Sequence, residues 1–121
     1  MANTFKTVTF AAEPASAGTA YKMYTCPSST TTVVLGLVLA NIHTTAVTAE
    51  VELVSDTANR GGANNVANGT SFLVKDVTIP TGSSLEILSG SKVVMEATDE
   101  LKIDCSVADK LSGTLSIMEI S

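Results

Sequence analysis

Proton transfer, nucleophilic attack and metal binding call on histidine, cysteine and clustered carboxylates, and this chain supplies few of them. Its one histidine, His43, stands beside Thr44 and Thr45 at the end of an apolar run. A nucleophilic triad needs Ser or Cys, His and an acid to converge, so a lone histidine in a polar turn reads as a solvated loop residue. Cys26 and Cys105 lie far apart in the chain and, with His43, show no zinc-ligand spacing. Cys105 has apolar neighbours of its own parity and reads as a buried free thiol. Cys26, just before Pro27, leaves two options open: a strand-end thiol, or half of a single bridge.

The carboxylates are no more suggestive. Glu50 alternates with Glu52, and Asp99 adjoins Glu100, but neither pair fits the ligand template of a calcium loop. The glutamates read as the wet face of a strand, and Asp99 as a turn former. Asp56 with Asn59, Asn64 and Asn65 groups oxygen donors in a loop, without template spacing. Arg60, Gly61 and Gly62 precede no helix, so a phosphate cradle has no scaffold. The chain has no Trp and two Tyr, both early in the sequence, which leaves no aromatic platform for a sugar ring. Asn68-Gly69-Thr70 matches a glycosylation acceptor, which carries no meaning without a secretory route. We therefore expect no catalytic residue, no cofactor and no metal, and no enzymatic activity.

Composition points elsewhere. A chain of 121 residues makes one domain, able to bury about two-thirds of its unfolded surface. Hydrophobic residues make up 45% and charged residues 16%, against about 25% charged in an average soluble domain. The surface is then rich in Ser, Thr, Asn and Gly, or is covered by partners. A net charge of −5 with seven Lys and Arg argues against nucleic acid, because few phosphates can be neutralised. The wholly apolar run from Val33 to Ala40 is far short of the roughly 20 residues of a spanning helix, so no membrane partner is expected. The first residues show no basic segment followed by an apolar core, and folding in a cytoplasm is expected.

The elements that would position any surface are strands. From Asp76 to Val107, short apolar segments are broken by Pro80-Thr81-Gly82, by Ser89-Gly90 and by Thr98-Asp99, the rhythm of a β-meander. Ala46 to Val54 alternates, with Val47, Ala49, Val51 and Leu53 facing in. Leu101, Ile103, Cys105 and Val107 do the same, and Leu111, Leu115 and Ile117 continue the pattern. Further strands are expected at Phe5–Phe10, at Thr19–Thr25 with Tyr21 and Met23 opposite Tyr24, and at Ser71–Ile79. In the last, Phe72 and Val74 oppose Leu73, Val77 and Ile79. Eight or nine strands and no helix beyond a turn predict an antiparallel β-sandwich, jelly-roll-like. Residues 1–18 read as an N-terminal arm or edge strand, and residues 19–121 as the sandwich domain.

Thr31 to Ile42 departs from simple alternation, since Val33, Leu35, Leu37 and Leu39 fill one face while Val34, Gly36, Val38 and Ala40 fill the other. A strand apolar on both faces asks for a second covering layer, either a neighbouring subunit or the chain's own N-terminal segment. Ser55 to Thr70 reads as a long surface loop suited to contact. The candidate partner contacts are Phe5, Phe10, Val34, Val38, Asn59, Arg60, Asn64 and Asn65.

In the order of several motifs the chain resembles small β-sandwich virion proteins of tailed bacteriophages, including phages of marine and freshwater cyanobacteria. The motifs are Val33 to Asn41, Phe72 to Leu85, Gly90 to Glu96, Thr98 to Lys102 and Leu115 to Ile120. Each is strand plus turn; their order carries the resemblance. The Asn/Gly-rich stretch from Ser55 to Thr70 and the N-terminal segment depart from that pattern. The resemblance implies a capsid decoration or cement protein of the virion, without cofactor, assembled in the host cytoplasm. Its partners would be copies of itself, by analogy a homotrimer, and the major capsid protein or other virion proteins. A tail or fibre component, or a module recognising a host glycan or receptor, is the alternative.

Overall fold

A computed structural model describes residues 2–55, 69–88 and 92–121. Among these residues nine strands are present: β1 (Asn3–Glu13), β2 (Tyr21–Thr25), β3 (Thr31–Asn41), β4 (Val47–Ser55), β5 (Gly69–Ile79), β6 (Ser84–Ile87), β7 (Val93–Met95), β8 (Glu100–Cys105) and β9 (Leu111–Ile120). No helix occurs among the described residues. Residues 55–70, expected as a contact loop and containing Asn59, Arg60, Asn64 and Asn65, lie outside the described residues from 56 to 68.

The strands form two antiparallel sheets. One has the order β1-β9-β3-β6, with β7 sharing the outer side of β3, and the other β2-β8-β4-β5. This interleaved order is that of a jelly roll, in which most connections cross from one sheet to the other. Closing the sandwich buries Leu37, Leu39, Val47, Val51, Leu101, Ile103, Leu111, Leu115 and Ile117 between the layers. Alternation in β4, β8 and β9 delivers these residues to one side. Asn3–Glu13 is not loose chain: it pairs with β9 from Asn3↔Ile120 to Glu13↔Leu111 as the outer strand of its sheet.

Among the described residues, register shifts in β3, β2 and β5 change which side chains face the core. In β3 the pairing to β9 steps from Val34↔Ile117 to Gly36↔Ser116, so two steps oppose one. Leu35 is the extra residue, and alternation resets there. Thr32 and Val34 face inward before it, Leu37, Leu39 and Asn41 after it. The expected split of Val33, Leu35, Leu37 and Leu39 from Val34, Gly36, Val38 and Ala40 is therefore corrected. The outward set is Val33, Leu35, Val38 and Ala40.

In β2 the pairing steps from Lys22↔Lys102 to Tyr24↔Leu101. Tyr24 thereby joins Tyr21 on the core side instead of opposing it. In β5, irregularities opposite Ala49, Val51 and Glu52 bring Val74 into register with Val51, so Val74 shares a side with Val77 and Ile79 and not with Phe72. Asp76, with φ at 53°, lies within this irregular stretch.

Candidate assembly surface

The two outer faces of the sandwich differ in chemistry. On the sheet β2-β8-β4-β5, outward positions carry charge. Lys22 Nζ is 3.3 Å from Glu100 Oε2, Lys102 Nζ is 3.7 Å from Glu100 Oε1, and Lys75 Nζ is 2.9 Å from Glu50 Oε1. Lys75 also stands 4.5 Å above the centre of the Phe72 ring. Its ammonium is held above the ordinary lysine range, first by the bond to Glu50. Glycine backbone and side chains around Thr48, Glu50, Asp76 and Asp104 line a shallow hollow of about 210 Å³ here. Two of its acids have partners: Glu50 is paired with Lys75, and Asp104 Oδ1 accepts from Gly18 N at 3.2 Å and from Cys105 N at 2.8 Å. No group of three or more potential metal ligands occurs among the described residues.

The opposite face, on β1-β9-β3 with β6 and β7, is nearly free of charge. Register aligns Phe5 with Met118, Met118 with Val33 and Val33 with Val94. These four apolar side chains form one row straight across the sheet. Phe5 is 71% exposed and Val94 57%, while Met118 and Val33 are half-buried between them. Further along the strands the next outward row, Thr7, Ser116 and Gly36, is small; beyond it Thr9, Thr114 and Val38 align with Glu86, and Ser112 and Ala40 with Ser84. Thr9, Ala11, Val38, Ala40, Ser112 and Thr114 line a second hollow, of about 270 Å³. Among the described strand residues of these rows, Glu86 is the charge.

The expected contact residues divide accordingly. Phe5 lies on the exposed apolar row, and Val38, 38% exposed, borders the hollow. Val34 is fully buried and offers no surface to a partner, while Phe10, nearly buried, is among the residues that line the hollow. Val34 is turned inward by the bulge at Leu35. Phe10 packs edge-on against Tyr21, ring centres 5.3 Å apart, over Gly113, where a Cβ would overlap its ring. Met118 and Val94 were not expected as contacts, and Val33 was expected only as part of a strand apolar on both faces, because no single strand contains the row. Only cross-strand register assembles it.

Beneath this face lies a polar cluster that sequence reasoning also missed. The Tyr24 hydroxyl donates to Glu119 Oε2 at 2.6 Å and lies 2.7 Å from Thr32 Oγ1, while Lys6 Nζ is 2.8 Å from Glu119 Oε1. Thr32 Oγ1 is in turn 3.3 Å from Cys26 Sγ, which donates to the Thr30 carbonyl at 3.3 Å. Burial and the neighbouring Glu119 push the Tyr24 phenol well above its usual range. Lys6, then Tyr24, hold the Glu119 carboxyl below the usual carboxylate range. Burial raises the Cys26 thiol. The signal was a glutamate at the inward parity of β9, in line with Leu111, Leu115 and Ile117.

Both cysteines are free and buried, as expected for Cys105; of the two options for Cys26, the thiol holds. His43 is half-buried in the turn after β3. Its backbone N–H donates to Asn41 Oδ1 at 2.7 Å, and its carbonyl accepts from the Thr81 hydroxyl at 2.9 Å.

Fold and surface together define an all-β jelly-roll sandwich with one ion-paired face and one apolar, nearly uncharged face. No protein-family model and no curated protein matches the chain. Among solved structures it is similar to a protein of Bacillus endospore appendages, described as a novel family of disulfide-linked pili. The match has 17% identity over 99% of this chain and 87% of that one, with a TM-score of 0.48. Likeness at that level assigns no function.

Proposed function

We propose that this protein is a non-enzymatic structural subunit that works by being built into a larger particle, and that the particle is a bacteriophage virion, where it serves as capsid decoration or cement. The contrast between the two outer faces is the observation that carries the reading. One face has the paired charges of a surface made for water. The other concentrates Phe5, Met118, Val33 and Val94 in a row with almost no charge around it, the composition of an interface core. The virion setting rests on the order of motifs from Val33 to Ile120. The non-enzymatic reading draws on the described residues, in which the His43 backbone is tied to Asn41, Cys26 lies beside Thr32, and Glu50 and Glu119 are paired with Lys75 and Lys6, with no convergence of these groups on one site.

Co-sedimentation of the purified chain with capsid shells of tailed phages, beside a glycan array, tests the proposal. Pelleting with shells and no retention on glycans is expected. Retention on glycans without shell binding would instead make the protein a recognition module.

A further inference from the structure

Resting on the assembly reading, we infer that the apolar face is an interface with a second copy of this chain, related by a two-fold axis lying in the face and running across the strands. The argument begins with relief. The bulky row of Phe5, Met118, Val33 and Val94 stands toward one end of the face. Toward the other end the same strands supply the hollow of Thr9, Ala11, Val38, Ala40, Ser112 and Thr114. The axis passes near Thr7 and Ser116, which pair midway between them.

Rotation about that axis reverses position along a strand and keeps position across the sheet. Phe5 of one copy then meets Thr9, Ala11 and Ser112 of the other, Met118 and Val33 meet Thr114, Val38 and Ala40, Val94 meets Glu86 at the rim, and the reciprocal contacts form at once. Such reciprocity is what an isologous interface requires. A shape that carries its own knob and its own hollow is complementary to itself.

Charge favours the same occupant. Two molecules of net charge −5 repel, and this face, where Glu86 on β6 and Lys92 just before β7 stand at the rim, is where they approach with least cost. Size agrees too. Three strands of ten or eleven residues and the seven residues of β6 and β7, spaced about 4.8 Å apart, give roughly 650 Å² on each copy. Both together reach about 1,300 Å², inside the range of stable specific interfaces, roughly 1,200–2,000 Å². The trimer suggested by analogy has no counterpart in this relief, which matches under a two-fold operator.

Sedimentation velocity of the full chain over a concentration series tests the pairing. A monomer–dimer equilibrium is expected, weakened roughly tenfold or more by Phe5→Asp and by Thr114→Arg. Thr48→Arg, on the opposite face, should leave it unchanged, and all three variants should keep the wild-type circular dichroism. Mixing Phe5→Cys chains with Thr114→Cys chains and adding a short bis-maleimide should yield the mixed cross-linked pair, because the native cysteines are buried. A chain that stays monomeric, a dimer indifferent to both face variants, or a cross-link running only between two position-5 thiols overturns the two-fold pairing. A monomer that still pellets with shells would sink this inference alone; a dimer that ignores shells would sink the virion assignment alone.

Discussion

Tyr24 on β2 and Glu119 on β9 belong to different sheets, and the 2.6 Å hydrogen bond from the Tyr24 hydroxyl to Glu119 Oε2 crosses the interior between them. The phenol has one proton, and it goes to the carboxylate. Thr32 must then donate to the Tyr24 oxygen across their 2.7 Å contact. Lys6, from β1, closes the other side of the carboxylate. Four strands thus meet on one buried acid.

Tyr24→Phe should therefore destabilise the fold by about 1–3 kcal/mol, the range for leaving buried partners unsatisfied. Glu119 would keep Lys6, but the Thr32 hydroxyl would lose its 2.7 Å partner and be left with the longer, weaker contact to Cys26 Sγ. Urea unfolding of both proteins measures the difference, and an unchanged midpoint would show that the bond between sheets contributes nothing net.

The same acid sets a pH dependence. Lys6 first and Tyr24 second depress the Glu119 carboxyl in the folded protein. Its contribution to stability is then complete above the unfolded carboxyl value of about 4.3, and fades as pH falls through the lower folded value. Comparing urea midpoints of wild type and Glu119→Gln between about pH 6 and pH 3 isolates this group from the other carboxylates. Wild type should lose more stability over that window. Equal losses would mean that Glu119 does not titrate as its partners require.

Much of the sandwich was legible because β4, β8 and β9 alternate cleanly and one side of each is apolar. Periodicity fails where a bulge resets parity. The string from Val33 to Leu39 reads as apolar on both sides, yet Leu37 is fully buried and Leu35 faces out. Gly36, an isolated glycine in a strand pattern, was the available sign of the bulge. The apolar row was illegible for a different reason: Phe5, Met118, Val33 and Val94 come from four segments, and nothing local fixes their register.

That difference in parity is measurable. Leu37→Ala should cost about 2–5 kcal/mol, as for other core leucines, and Leu35→Ala clearly less. Equal costs would contradict the bulge. Sedimentation should separate the two in the opposite sense, since Leu35 borders the assembly face and Leu37 does not.

Gly113 faces inward on β9 beneath the Phe10 ring. Gly113→Ala forces that ring to move, and overpacking of this kind costs about 1–3 kcal/mol. Phe10→Leu removes the overlapping ring atoms, so the double variant should lose less than the sum of the two single losses. Strict additivity would show that ring and glycine do not touch.

Cysteine reactivity should report the order in which the sandwich opens. A thiol reagent needs the thiolate and access, and burial denies Cys26 both. Its segment is also fastened by backbone bonds on each side, Cys26 N to the Asp99 carbonyl and Thr98 N to the Cys26 carbonyl, each 2.9 Å. Cys105 is buried as well, but it ends β8 and lines the hollow of the charged face. Labelling by a maleimide, followed by mass spectrometry, should find both thiols protected in the native protein and Cys105 modified ahead of Cys26 as urea is raised. Local opening needs only the end of one strand to lift at Cys105, whereas at Cys26 the turn through Thr98 and Asp99 must come away as well. Earlier labelling of Cys26 would mean that those two backbone bonds do not hold the segment.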